Sequence, residues 1–131
     1  MASIHREIVV ERRPAEVWDA VRDVGAVHDR LAPGFVVATT LEEGARVVTF
    51  ANGVVARERI VDCDDAARRL VWSVVGGRMS HHNASLQVAP DGEGRSRITW
   101  VADLLPNEIA PVIADMIEQG MQVMKRTLDR T

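Results

Sequence analysis

The spacing of apolar residues changes period twice within the first third of the chain. In "IHREIVVERR", Ile4, Ile8 and Val10 share one parity, the alternation of a strand with one buried face. Pro14 follows where a missing N–H costs a helix nothing, and in "PAEVWDAVRD" Val17, Trp18 and Val21 recur at helical spacing until Gly25 stops them. A short second helix is expected from Val27 to Leu31, ended by Pro33-Gly34. From there to Asp103, short alternating segments are cut by turn residues: Glu43-Gly44, Asn52-Gly53, Asp64-Asp65, Gly76-Gly77 and "DGEG" from Asp91. The cuts leave six strands, near 35–42, 45–51, 54–62, 69–75, 80–89 and 96–104, the signature of an antiparallel meander. Asn52-Gly53 reads as a two-residue type I′ hairpin turn, because both residues tolerate positive φ.

Pro106 opens the last element, which runs to about Arg130. Ile109, Val112, Ile113, Met116, Ile117, Met121, Met124 and Leu128 recur at three- and four-residue steps, and Glu108, Asp115, Glu118, Gln122, Lys125 and Asp129 fill the other face. The pattern predicts a long amphipathic helix, on the order of 35 Å if unbroken, with Pro111 disturbing its first turn. Seven strands with one apolar face and one long helix with one apolar stripe have a natural solution in an α+β fold: the antiparallel sheet curls around the helix. Where the sheet diverges from the helix it leaves a cavity, the kind of place where small molecules bind.

Composition narrows the function classes. At 131 residues the chain fits a single domain spanning 1–131, and 47% hydrophobic with 27% charged residues is the balance of a globular protein. No apolar run approaches the roughly 20 residues of a membrane helix, so no integral membrane segment is expected. The N-terminus lacks the apolar core and cleavage site of a signal peptide, which points to the cytoplasm. A net charge of -3 and only 4% aromatic residues argue against a nucleic-acid partner. Cys63, the one cysteine, can form neither an internal disulfide nor a cysteine cluster for zinc. Gly-rich phosphate loops, G-x-S-x-G and H-E-x-x-H are all missing.

Three stretches carry a family likeness: "RRPAEVWDAVRDVGAV", "NGVVARERIVDCDDAARRLVWSV" and "SRITWVADLLP". With them the chain resembles, over nearly its whole length, the helix-grip fold of the START and Bet v 1 superfamily, in its bacterial polyketide cyclase/dehydrase (SRPBCC) branch. That resemblance implies binding or transport of lipids and hydrophobic metabolites, or cyclisation and dehydration of polyketides. Many relatives carry a Trp before the Pro that ends the second short helix; "HDRLAPGF" has none.

Strand parity nominates the residues that would face the cavity. A type I′ turn at Asn52-Gly53 pairs Val47 with Glu58 and puts Arg46, Arg57 and Arg59 on the opposite, solvent face, together with Val48 and Phe50. Glu58 then points inward, as a candidate ligand contact or proton-transfer group or as a core carboxylate satisfied by a donor. Trp72 and Trp100 lie on inward parities, and Met116, Gly120, Met121 and Met124 lie along the helix stripe. The pair His81-His82 splits, since adjacent strand residues point to opposite faces: His82 and Ala84 go inward, His81 outward. That argues against a metal site, and no cofactor is implied. His82 and Glu58 form a candidate catalytic pair, while a backbone carbonyl is an equally good partner for a core histidine.

Three functions compete. The first is binding of a small hydrophobic or amphipathic molecule, with Glu58, Trp72, His82, Ala84, Trp100, Met116, Gly120 and Met124 as the site. The second is a polyketide cyclase- or dehydratase-like enzyme that moves protons with Glu58 and His82. The third is an interaction protein with a filled cavity, a homodimer among its forms, using Phe50 and Val48 on the outer face.

Overall fold

The computed structural model describes residues 2–129, apart from the Val75 side chain. β1 (Ala2–Val10) is followed by α1 (Pro14–Arg22) and a short π-helix, Val27–Leu31. Then come β2 (Val36–Glu42), β3 (Ala45–Phe50), β4 (Val55–Asp64), β5 (Arg69–Val75), β6 (His81–Pro90) and β7 (Ser96–Leu105). All seven strands form one antiparallel sheet in the order β1-β7-β6-β5-β4-β3-β2, which curves around the last helix in the helix-grip arrangement.

Pro106 does not start that helix directly. A 3-10 turn, Asn107–Ile109, precedes α2 (Ala110–Leu128), so Pro111 falls in the first helical turn, where its ring is tolerated. With 19 residues α2 is about 28 Å long, shorter than the pattern suggests. Arg130, the expected end of the helix, lies outside the described residues. No helix among the described residues is long and apolar enough to cross a membrane.

One end of the grip is sealed by polar ties between β1, the segment after it and the end of α2. Lys125 Nζ donates to the Val9 carbonyl at 2.8 Å, Arg12 Nε to the Leu128 carbonyl at 2.8 Å, and the Glu11 N–H to Asp129 Oδ1 at 2.9 Å. Ser96, fully buried, donates from Oγ to the Arg12 carbonyl at 2.6 Å. Each bond satisfies a main-chain group left over at an element end or a strand exit. Beneath them Val10, Leu70 and Ile98 are fully buried. α1 closes the flank with Val17, Trp18 and Val21 turned inward, and Asp65 receives the Trp18 indole N–H and Arg22 Nε, each at 2.8 Å.

One parity expectation fails, through one added residue. At the β3–β4 hairpin the Gly53 N–H donates to the Phe50 carbonyl and the Phe50 N–H to the Val54 carbonyl, so residues 51–53 form a three-residue loop. Only Gly53 takes positive φ there (89°), while Asn52 Oδ1 accepts from the Val54 N–H. This is a type I turn followed by a left-handed glycine, not a two-residue type I′ turn. The slip reverses one strand's faces. Arg46 therefore lies opposite Glu58, Val48 opposite Ala56, and all four face inward. Arg46 is thus not a solvent-face arginine, and Val48 and Phe50 are cavity residues rather than an outer contact surface. Further along β4, a bulge between Ile60 and Asp62 shifts the register so that Cys63 pairs with Leu70, and Cys63 is exposed.

Candidate ligand-binding site

At the other end the sheet and α2 part company. Between β2–β7, the π-helix and the first four turns of α2 lies a cavity of about 150 Å³. Its walls are almost wholly apolar: Leu31, Phe35, Val48, Phe50, Ile113 and Ile117 are representative. Phe35 and Phe50 meet edge to face at 5.4 Å, and Trp72 and Trp100 do the same at 5.8 Å.

Across the floor runs one transverse row of the sheet. Arg46 on β3 is paired with Glu58 on β4, and Glu58 with Val74 on β5. The β5–β6 ladder stops at Trp72–Ala84, and the Val74 N–H, left without a strand partner, donates instead to Nδ1 of His82 at 3.2 Å. The imidazole completes the row by standing in for a backbone acceptor.

Arg46 and Glu58 are both buried, and Arg46 Nε donates to Glu58 Oε1 at 2.7 Å. The guanidinium also lies over the Trp72 ring, 5.3 Å from its centroid. A buried carboxylate thus has the donor it needs, and the two charges cancel within the wall.

His82 is of a different kind. Because Nδ1 accepts from Val74, the neutral ring carries its proton on Nε2. His82 lines the cavity, and Nε2 is not one of the buried atoms left without a partner. Burial first, and then the neighbouring His81, hold the imidazole pKa below its ordinary value, which keeps the ring neutral. The Val74 N–H is the ring's partner in the row, and a backbone contact within His82 itself opposes the shift more weakly. His81 is exposed on the outer face, so the two imidazoles do not converge. No group of three or more candidate metal ligands exists among the described residues.

The structure distributes the nominated residues unevenly. Glu58, Trp72, His82, Trp100, Met116 and Met124 all line the cavity. Ala84 is buried beneath it, between Trp72 and Ala102, and does not line it. Gly120 does not line it either; a Cβ there would come within 3.0 Å of the Phe35 ring and 3.3 Å of Trp100. Its missing side chain is what lets Phe35 lie against α2. Met121 packs away from the cavity, beside Arg6 and Ile8 of β1. Glu58 and His82 share the cavity but not a contact: β5 runs between their strands, and at about 4.8 Å per strand step their backbones stand roughly 10 Å apart.

Parity with a two-residue turn hides Arg46, Val48 and Phe50. The signal for them was present, since sliding the hairpin by one residue sets Arg46 against Glu58 and matches the two charges. Phe35 carries no such signal, for it precedes β2 and is placed by the turn at Gly34. Trp100 adds one more feature: its Nε1–H is sealed from solvent with no acceptor among the described residues.

A family model described as polyketide cyclase/dehydrase and lipid transport matches residues 1–130. No curated protein matches the chain. Among solved structures, a putative uncharacterized protein of Bacillus thuringiensis superposes with a TM-score of 0.86 at 17% identity, over 98% of this chain and 100% of its own. A Thermobifida fusca protein is 26% identical, with a TM-score of 0.79 over 100% of this chain and 98% of its own. Norcoclaurine synthase of Thalictrum flavum, solved with dopamine and hydroxybenzaldehyde, gives 0.71 at 17% identity over 95% and 84%. The two at 17% identity are likenesses of fold.

Proposed function

The chain belongs to the polyketide cyclase/dehydrase and lipid transport family, within the START/Bet v 1 superfamily, and from that premise we propose that it binds a small hydrophobic or amphipathic molecule between the sheet and α2. One observation carries the reading: an apolar cavity of about 150 Å³ lined by Trp72 and Trp100 and by a single half-buried imidazole, His82. Apolar walls supply the driving force, and a few fixed polar groups supply orientation. Native mass spectrometry of the purified protein, followed by solvent extraction, tests it. The expected result is an adduct released as a small hydrophobic molecule, or a fragment from a ring-compound library that shifts the Trp72 and Trp100 indole signals in NMR. A protein that carries nothing and whose indole signals ignore the whole library would overturn the reading.

Catalysis is the second reading, favoured by the placement of two titratable side chains on one cavity with a strand between them. Glu58 and His82 would act on separate atoms of a bound carbonyl compound rather than on each other. Unchanged turnover of a substrate by Glu58→Gln and His82→Ala would remove it.

A further inference from the structure

The polar lining of the cavity is selective, and it deepens the binding reading on which this inference rests. Arg46 and Glu58 neutralise one another through their 2.7 Å contact, so the floor offers no net charge to an ion. An entering anion or cation would lose its hydration without gaining an unpaired counter-charge. Beside that pair the lining holds one neutral polar side chain, His82. His82 carries Nε2–H, its tautomer set by the Val74 N–H on Nδ1, whereas the Trp100 indole N–H is sealed within the wall. A donor on an otherwise apolar wall calls for an acceptor on the ligand. Size restricts the choice further, because an apolar cavity of about 150 Å³ admits one benzene-sized ring.

We propose that the cavity takes an uncharged single-ring compound bearing a carbonyl-type oxygen, which accepts a hydrogen bond from His82 Nε2–H. The ring packs among the Phe35–Phe50 and Trp72–Trp100 pairs, and the oxygen lies toward the transverse polar row. A longer or fused-ring molecule requires Phe35 to move first.

Four probes of nearly one shape test the assignment: acetophenone, α-methylstyrene, benzoate and benzamidinium, titrated into the full chain at pH 7.5 and followed by calorimetry. Acetophenone is expected to bind about fivefold tighter than α-methylstyrene, the worth of one ordinary hydrogen bond, and at least about tenfold tighter than either ion. In His82→Leu the ratio of acetophenone to α-methylstyrene affinity falls to about one. If that variant does not fold, 15N NMR of the wild-type imidazole gives the same answer. Acetophenone, and not α-methylstyrene, moves the Nε2–H signal.

Equal affinity for acetophenone and α-methylstyrene would overturn the hydrogen-bond assignment, while the cavity remained a binding site. Tightest binding of either ion would overturn the neutral class. Failure of all four probes, with a co-purified or library ligand still seated beside Trp100, would overturn the single-ring class alone. Failure of every ligand in both experiments sinks the binding reading as well.

Discussion

The two ends of the grip are built from the same sheet and the same helix, yet one is sealed and the other hollow. At the sealed end Val10, Leu70 and Ile98 are fully buried, and spare main-chain groups are met by Arg12, Ser96, Lys125 and Asp129. At the hollow end the ladder between β5 and β6 stops early, a side chain replaces a backbone acceptor, and Trp100 keeps an unmet indole N–H. Close packing and hydrogen-bond satisfaction thus fail in the same place. Stability is concentrated where both are complete, and the capacity to bind lies where both are left open.

The Arg46–Glu58 pair should break that division most severely, because it sits at the hollow end and is nevertheless buried. Glu58→Leu leaves a guanidinium without its carboxylate and should cost about 3–5 kcal/mol in urea unfolding. The double variant Arg46→Met/Glu58→Leu should recover most of that loss, since two apolar residues need no partner. A double variant as unstable as the single one would mean that the pair holds the sheet by shape rather than by charge.

A matched pair of truncations tests the comparison directly. Leu70→Ala removes a fully buried side chain that does not touch the cavity, and should cost about 3 kcal/mol. Met116→Ala removes a side chain that already borders empty space, and should cost about 1 kcal/mol or less, because little packing is lost. Similar costs for the two would erase the distinction between the ends.

Phe35 marks the border. It is partly buried, lies against Phe50 and occupies the space over α2 that Gly120 leaves free. Phe35→Ala should cost about 2 kcal/mol, below the range for a fully buried aromatic residue. It should also admit a two-ring probe such as 2-acetonaphthone that the wild type excludes, as calorimetry would show. Exclusion of that probe by the variant would place the size limit elsewhere in the wall.

Much of this was legible in the chain because period and punctuation are local. The first strand, both short helices, six strand segments and the final helix follow from alternation, helical spacing and Gly, Asn and Pro positions, and the helix-grip arrangement follows from burying their apolar faces together. The inward parities of Glu58, Trp72, His82 and Trp100 follow from the same alternation. What escaped depended on single added residues. The left-handed Gly53 lengthens a hairpin loop by one and turns Arg46, Val48 and Phe50 inward, and the bulge in β4 shifts its register against β5. Alternation carries no memory across such insertions. The bond between Val74 and His82 was beyond reach for another reason: it exists because a ladder ends, and ladder ends are set by the curvature of the whole sheet.

The subtlest difference between the ends should appear on acidification. Both burial and His81 favour the neutral form of His82, so its folded pKa lies below the ordinary 6.5. Its contribution to stability is therefore whole above pH 6.5, where both folded and unfolded states are neutral at this residue. As pH falls below 6.5 the unfolded chain takes up a proton that the folded one resists, and stability drops until the pH passes the folded value. Protonation also turns Nδ1 from an acceptor into a donor facing the Val74 N–H. His82→Gln cannot titrate, whereas the remaining histidines are common to both proteins. Urea midpoints at pH 7.5 and 5.5 should thus fall further for wild type than for the variant. Acidification should also raise amide exchange at Val74 before it does so at Val10 or Ile98, since the titrating bond belongs to the hollow end alone. Equal loss in the two proteins, with Val74 as protected at pH 5.5 as at 7.5, would mean that the imidazole is not held neutral by its place in the row.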